Sequence, residues 1–121
     1  MKAKSILIAE DERPMATALG LKLRSVGFET TLVYDGESVI AAVQKTPFDL
    51  ILLDLVMPKK DGFSVLAELK KLKITIPVIV SSNLSQEEDI TRAKELGAQD
   101  YFIKSDTTLA EIVEKVQQAI V

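Results

Sequence analysis

Leu50-Ile51-Leu52-Leu53-Asp54 is an unbroken apolar run closed by an acid, and Leu55-Val56-Met57-Pro58 follows it. Four apolar residues without alternation describe a short strand buried on both faces, as in a parallel sheet covered by helices on each side. Ile6-Leu7-Ile8-Ala9 and Val78-Ile79-Val80 read the same way, and Thr30 to Tyr34 and Asp100 to Ile103 supply two more strands. The segments between them change to helical spacing: Met15, Leu19, Leu23 and Val26, then Val39, Ile40 and Val43, then Val65, Leu69 and Leu72. Ile90, Ala93 and Leu96 form a weaker stripe, and Leu109, Ile112, Val113, Val116 and Ile120 the clearest one.

Capping signals sharpen these limits. Thr108 to Glu111 and Ser85 to Glu88 have the spacing of capping boxes. Gly27 and Gly97 follow helical stripes, where left-handed caps are usual, Asp35-Gly36 marks a turn, and Pro47 and Pro77 precede strands. Five strand-then-helix units in succession predict a doubly wound α/β fold with right-handed crossovers. With 121 residues, 47% of them hydrophobic, the chain suits one core, so residues 1–121 are expected to form a single domain.

Composition narrows the chemistry. Fifteen basic against eighteen acidic residues leave a net charge of -3, which disfavours direct nucleic-acid binding. The chain has no cysteine and no histidine, so carboxylates, hydroxyls and lysines must do any chemistry, and oxygen ligands favour a hard cation. Met1-Lys2-Ala3-Lys4 is basic, but the apolar run from Ile6 to Ala9 is too short for a signal-peptide core or a membrane span. A soluble cytoplasmic protein without membrane partners is the expectation.

In a doubly wound sheet, ligands bind beyond the carboxyl ends of the strands, near the point where strand order reverses. Glu10-Asp11 follows the first strand there, Asp54 the third, Ser82 the fourth and Lys104 the fifth. Each has an ordinary reading: an acidic pair entering a helix, a turn aspartate, a loop hydroxyl, a solvated lysine. Together they outweigh those readings, because three converging carboxylates require a cation or a raised pKa. A magnesium-type ion that keeps water and substrate phosphate suits such a set. The chemistry implied is phosphoryl transfer, in which Asp54 is the nucleophile and Asp11, with Glu10 through water, holds the metal. Ser82 and Lys104 then bind the remaining phosphoryl oxygens.

The chain resembles the response-regulator receiver family, CheY-like, from Lys4 to about Ile120. Ile8-Ala9-Glu10-Asp11-Glu12, Leu52 to Pro58, Asp61-Gly62, Pro77 to Ser82, Gly97-Ala98 and Tyr101-Phe102-Ile103-Lys104 carry the resemblance, which is specific in combination. It implies a flavodoxin-like, five-stranded parallel sheet in order 2-1-3-4-5 with five flanking helices. It implies Mg2+ or Mn2+ as cofactor, with the Val56 backbone carbonyl as a further ligand. A histidine kinase or phosphotransfer protein is the implied donor, and the domain catalyses only its own phosphorylation and dephosphorylation.

The resemblance also implies a switch. Phosphorylation would draw Ser82 toward the phosphoryl group and turn Tyr101 inward, changing the surface of the fourth helix, fifth strand and fifth helix for an output domain or protein, with a homodimer as a further option. Lys104-Ser105 stands where the family usually has Lys-Pro. Val56 and Leu84, two residues beyond Asp54 and Ser82, are apolar where members often carry polar groups, which points to slow hydrolysis of the phosphate. The alternatives are a receiver-like scaffold that binds constantly and never takes phosphate, and an aspartate-pair phosphatase or nuclease. The last would want Asp-x-Asp after a strand, whereas Asp54-Leu55-Val56 lacks the second acid.

Overall fold

Alternate residues of the central strands point into two separate apolar layers. The computed structural model describes residues 3–120; Met1, Lys2 and Val121, part of the expected single domain, lie outside the described residues. Its elements are β1 (Ser5–Ala9), α1 (Arg13–Ser25), β2 (Glu29–Val33), α2 (Gly36–Lys45), β3 (Leu50–Leu53), α3 (Gly62–Lys71), β4 (Val78–Ser82), α4 (Glu87–Glu95), β5 (Asp100–Ile103) and α5 (Leu109–Ile120). Leu7, Ile51, Leu53 and Val80 pack with Val39, Val65, Leu66 and Ala93, so α2, α3 and α4 cover one face. Ile6, Ile8, Leu52 and Ile79 pack with Leu19, Leu23, Ile112 and Val116, so α1 and α5 cover the other. Burying one such side chain contributes roughly 1.5–3 kcal/mol, and this two-sided burial is why Ile6 to Ala9, Leu50 to Leu53 and Val78 to Val80 are unbroken apolar runs.

All pairings are parallel and the strand order is β2-β1-β3-β4-β5. The fold is therefore the expected five-stranded flavodoxin-like one. The chain leaves β1 toward β2 on one side and returns past it to β3, so the carboxyl ends of β1 and β3 open onto the switch point. No described helix is long and apolar enough to cross a membrane.

Local expectations fared unevenly. The Thr108–Glu111 box forms reciprocally: the Thr108 N–H donates to Glu111 Oε1 at 3.0 Å and the Glu111 N–H to Thr108 Oγ1 at 3.1 Å. The Ser85–Glu88 box does not form; Gln86 occupies the N-cap without a side-chain bond, and Glu87, Glu88 and Asp89 place negative charge on the first turn instead. Asp35-Gly36 is a helix start rather than a free turn, since Asp35 Oδ1 accepts from the Ser38 N–H at 2.8 Å and Gly36 opens α2. Val26 and Leu72 leave their stripes because each is the C-cap residue of its helix, where the chain turns away; they are 42% and 39% exposed. β2 begins one residue earlier than expected, leaving Tyr34 outside the ladder beneath the Arg13 guanidinium.

Candidate functional site

The β1–β3 register builds the site. Ala9 pairs with Leu53, and the Asp54 N–H donates to the Ala9 carbonyl at 3.0 Å, which sets Glu10 and Asp54 side by side beyond the strand ends. Both are buried, at 2% and 4% exposure, while Asp11 faces solvent. One carboxylate oxygen from each of Glu10, Asp11 and Asp54 lies within 4.8 Å of the others. The acids are not helix caps: Glu12 is the N-cap of α1, and its side chain makes no capping bond. An oxygen-only set with two buried members fits a hard divalent cation better than a transition metal.

These converging carboxylates do not stand alone. Lys104 Nζ stands among them, donating to Glu10 Oε1 at 2.8 Å and Asp54 Oδ2 at 3.1 Å, with Glu12 Oε1 at 3.4 Å. Its side chain is 8% exposed, so it is no solvated surface lysine. Asp54 Oδ1 also accepts from the Val56 N–H at 3.3 Å. Burial pushes the Glu10 carboxyl up to about 7; the Asp54 charge adds to this, and the Lys104 hydrogen bond opposes it. For Lys104 burial alone would lower the pKa, but the hydrogen bond to Glu10 and the charge of Asp54 outweigh it and hold the ammonium above its ordinary value.

Ser82 lies in β4 with no exposure, not in a loop. Its Oγ accepts from the Leu84 N–H at 3.2 Å, while the Leu84 carbonyl accepts from the Tyr101 hydroxyl at 2.6 Å. Leu84 is thus held through its N–H by Ser82 and through its carbonyl by Tyr101. Tyr101 is half-buried against the α2–α4 core, and burial raises its phenol. Beyond β5, Lys104–Asp106 forms a 3-10 turn, the Ser105 N–H donates to Asn83 Oδ1 at 2.9 Å, and Lys104–Ser105 is trans.

Two glycines at this edge lie hard against neighbouring backbone. Each is the first helical residue after a capping aspartate: Gly36 follows Asp35, and Gly62 follows Asp61, whose Oδ1 accepts from the Ser64 N–H at 2.8 Å. A Cβ on Gly62 would stand 2.5 Å from the Asp54 carbonyl oxygen and 2.7 Å from Leu55 Cα, and one on Gly36 would overlap the Lys60 carbonyl. The loop carrying Asp54 and Val56 therefore rests on two helix N-termini that lack side chains there. The repeated Asp-Gly pair was the available signal. Val56 itself turns its side chain outward, 59% exposed, and Leu84 is half-buried.

A family model described as the response regulator receiver domain matches residues 6–117. Among solved structures, the receiver domain of Francisella response regulator 1452 is 29% identical, with 97% of this chain and 96% of that one covered and a TM-score of 0.91. The signal receiver domain of a signal transduction histidine kinase from Syntrophus aciditrophicus is 33% identical, covering 98% and 90%, with a TM-score of 0.86. A CheY-like receiver domain protein from Methanospirillum hungatei, 22% identical over 98% and 94% with a TM-score of 0.92, shares the fold.

Proposed function

The chain belongs to the response regulator receiver domain family of phosphorylation-based two-component signalling, and on that premise we propose that Asp54 accepts the phosphoryl group. The observation that carries this is the placing of a buried Asp54 between an acidic set and a buried ammonium. An Asp54 oxygen would form a bond to phosphorus as the bond from phosphorus to the donor's nitrogen or oxygen breaks and the donor departs. A divalent cation, Mg2+ or Mn2+, held by Glu10, Asp11, Asp54 and the Val56 carbonyl, would supply positive charge against the phosphoryl oxygens. Lys104 would release its carboxylates to bond a phosphoryl oxygen, and Ser82 would exchange the Leu84 N–H for another.

Leu84 then loses one of its two restraints, which gives Tyr101 and the α4, β5 and α5 surface a reason to change. On this reading the donor is a histidine kinase or phosphotransfer protein, the output partner docks on that surface, and residues 1–121 work in the cytoplasm as one receiver domain that catalyses only its own phosphorylation and dephosphorylation. Incubation with a small-molecule phosphodonor and Mg2+, followed by intact-mass measurement, tests it. One phosphoryl group should be gained by the wild type, none by Asp54→Asn, and none with chelator. No gain where a control receiver reacts would leave the constant-binding scaffold as the better reading.

The apolar Val56 and Leu84 give no side-chain partner to an attacking water, so the phosphate is expected to be long-lived. Val56→Asn and Leu84→Glu should each speed dephosphorylation, followed as loss of mass after donor removal; unchanged rates in both would count against the assignment.

A further inference from the structure

Ser81 directly precedes Ser82 in β4, is 3% exposed, and carries the one buried side-chain oxygen or nitrogen among the described residues that makes no hydrogen bond within the protein. Strand alternation fixes its direction. Ile79, two residues earlier, and Phe102, its partner in register, both belong to the layer beneath α1 and α5. Ser81 shares that face. The pairing of Leu53 with Val80, carried one residue further, sets Ser81 beside Asp54, just as the pairing of Ala9 with Leu53 sets Glu10 on its other side. Glu10, Asp54 and Ser81 thus make one row across β1, β3 and β4.

Lys104 leaves the end of β5, and β4 lies between β5 and β3. To reach Asp54 at 3.1 Å and Glu10 at 2.8 Å its side chain has to cross the end of β4. We propose that Ser81 is a positioning residue for Lys104, its hydroxyl accepting from Nζ when a divalent cation takes up the carboxylates of Glu10 and Asp54. The ammonium has three N–H groups, now directed at Glu10, Asp54 and Glu12. A cation on the buried acids draws off two of those acceptors. The Ser81 oxygen, free in the resting state and set where the lysine crosses, is a neutral replacement that keeps Lys104 beside Asp54. A bond made only in the loaded state favours loading.

This inference rests on the three acids being a cation site. Calorimetric Mg2+ titration of the wild type, Ser81→Ala and Ser81→Thr, each also in a Lys104→Met background, tests it. Ser81→Ala should bind Mg2+ about fivefold more weakly, Ser81→Thr should match the wild type, and the alanine effect should vanish without Lys104. In chelator, Ser81→Ala should melt no lower than the wild type, since the resting hydroxyl has no bond to lose. Equal affinity of Ser81→Ala and wild type, a loss shared by Ser81→Thr, or a loss that persists without Lys104 would each overturn the role of Ser81 while leaving the cation site standing. Failure of the wild type to bind Mg2+ would overturn both.

Discussion

The carboxyl edge of the sheet has two halves held together by different forces. Over β1 and β3, Glu10, Asp54 and the incoming Lys104 form a buried charged cluster whose shortest contacts are ion pairs at 2.8 and 3.1 Å. Over β4 and β5, Ser82, Leu84 and Tyr101 are joined by two neutral hydrogen bonds running through one peptide. A charged cluster in a water-poor site responds to cations and protons and tolerates the loss of one member badly. A neutral relay costs little to rearrange and is indifferent to pH near neutrality. On the proposed function, sensitivity to ligand would lie in the charged half and the freedom to rearrange in the neutral one.

Removing the shared cation should break the comparison most severely. Lys104→Ala leaves two adjacent buried carboxylates, and loss of about 3 kcal/mol in chelator is expected at neutral pH, limited by proton uptake on Glu10. Its phosphorylation rate should fall about 100-fold, since one preorganised donor is gone. Urea melts and mass time courses check the two effects separately. Gly62→Ala comes next: the new Cβ would meet the Asp54 carbonyl at 2.5 Å, so the loop must shift, at about 1–3 kcal/mol and with slower phosphorylation.

The charged half also predicts a pH dependence that the neutral half lacks. Glu10 titrates near 7 when folded and from the ordinary 4.5 when unfolded, so between those values the folded protein holds a proton that the unfolded chain has released. Its contribution to stability in chelator is therefore greatest below 4.5 and is lost as pH rises to 7. Glu10→Gln, which mimics the protonated acid, should match the wild type near pH 4 and exceed it by about 1–3 kcal/mol above pH 7. Denaturant melts across that range check this, and equal pH profiles would contradict it. The smallest effect belongs to the relay: Tyr101→Phe loses the bond to Leu84, about 1 kcal/mol, with the phosphorylation rate unchanged within about twofold. A large rate loss there would show that the two halves are not separable.

Much of this was legible in the sequence, because unbroken apolar runs such as Leu50 to Leu53 state two-sided burial directly and the acids fall where those runs stop. Strand neighbours were harder. That Lys104 crosses β4 to pair with Glu10, 94 residues away, depends on sheet order and side-chain reach, neither of which any local pattern records. The same holds for Ser81, whose face follows from alternation but whose neighbour Asp54 follows only from register. The Ser85 box failed because a capping spacing is permissive: α4 opens on Gln86, and three acids in its first turn serve its dipole without the hydroxyl. Asp35-Gly36 reads as a turn and Asp61-Gly62 only as part of the family resemblance, and it is the approach of a second backbone that reveals why each helix begins on a residue without a Cβ.

The central claim is that phosphoryl chemistry takes place on Asp54. Treatment with phosphodonor and Mg2+, then borohydride, converts an aspartyl phosphate to homoserine, which peptide mass mapping locates. Homoserine at position 54 alone is the predicted result, abolished by chelator and strongly reduced in Lys104→Ala. Homoserine at Asp11, at another acid, or nowhere while a control receiver is labelled would contradict it.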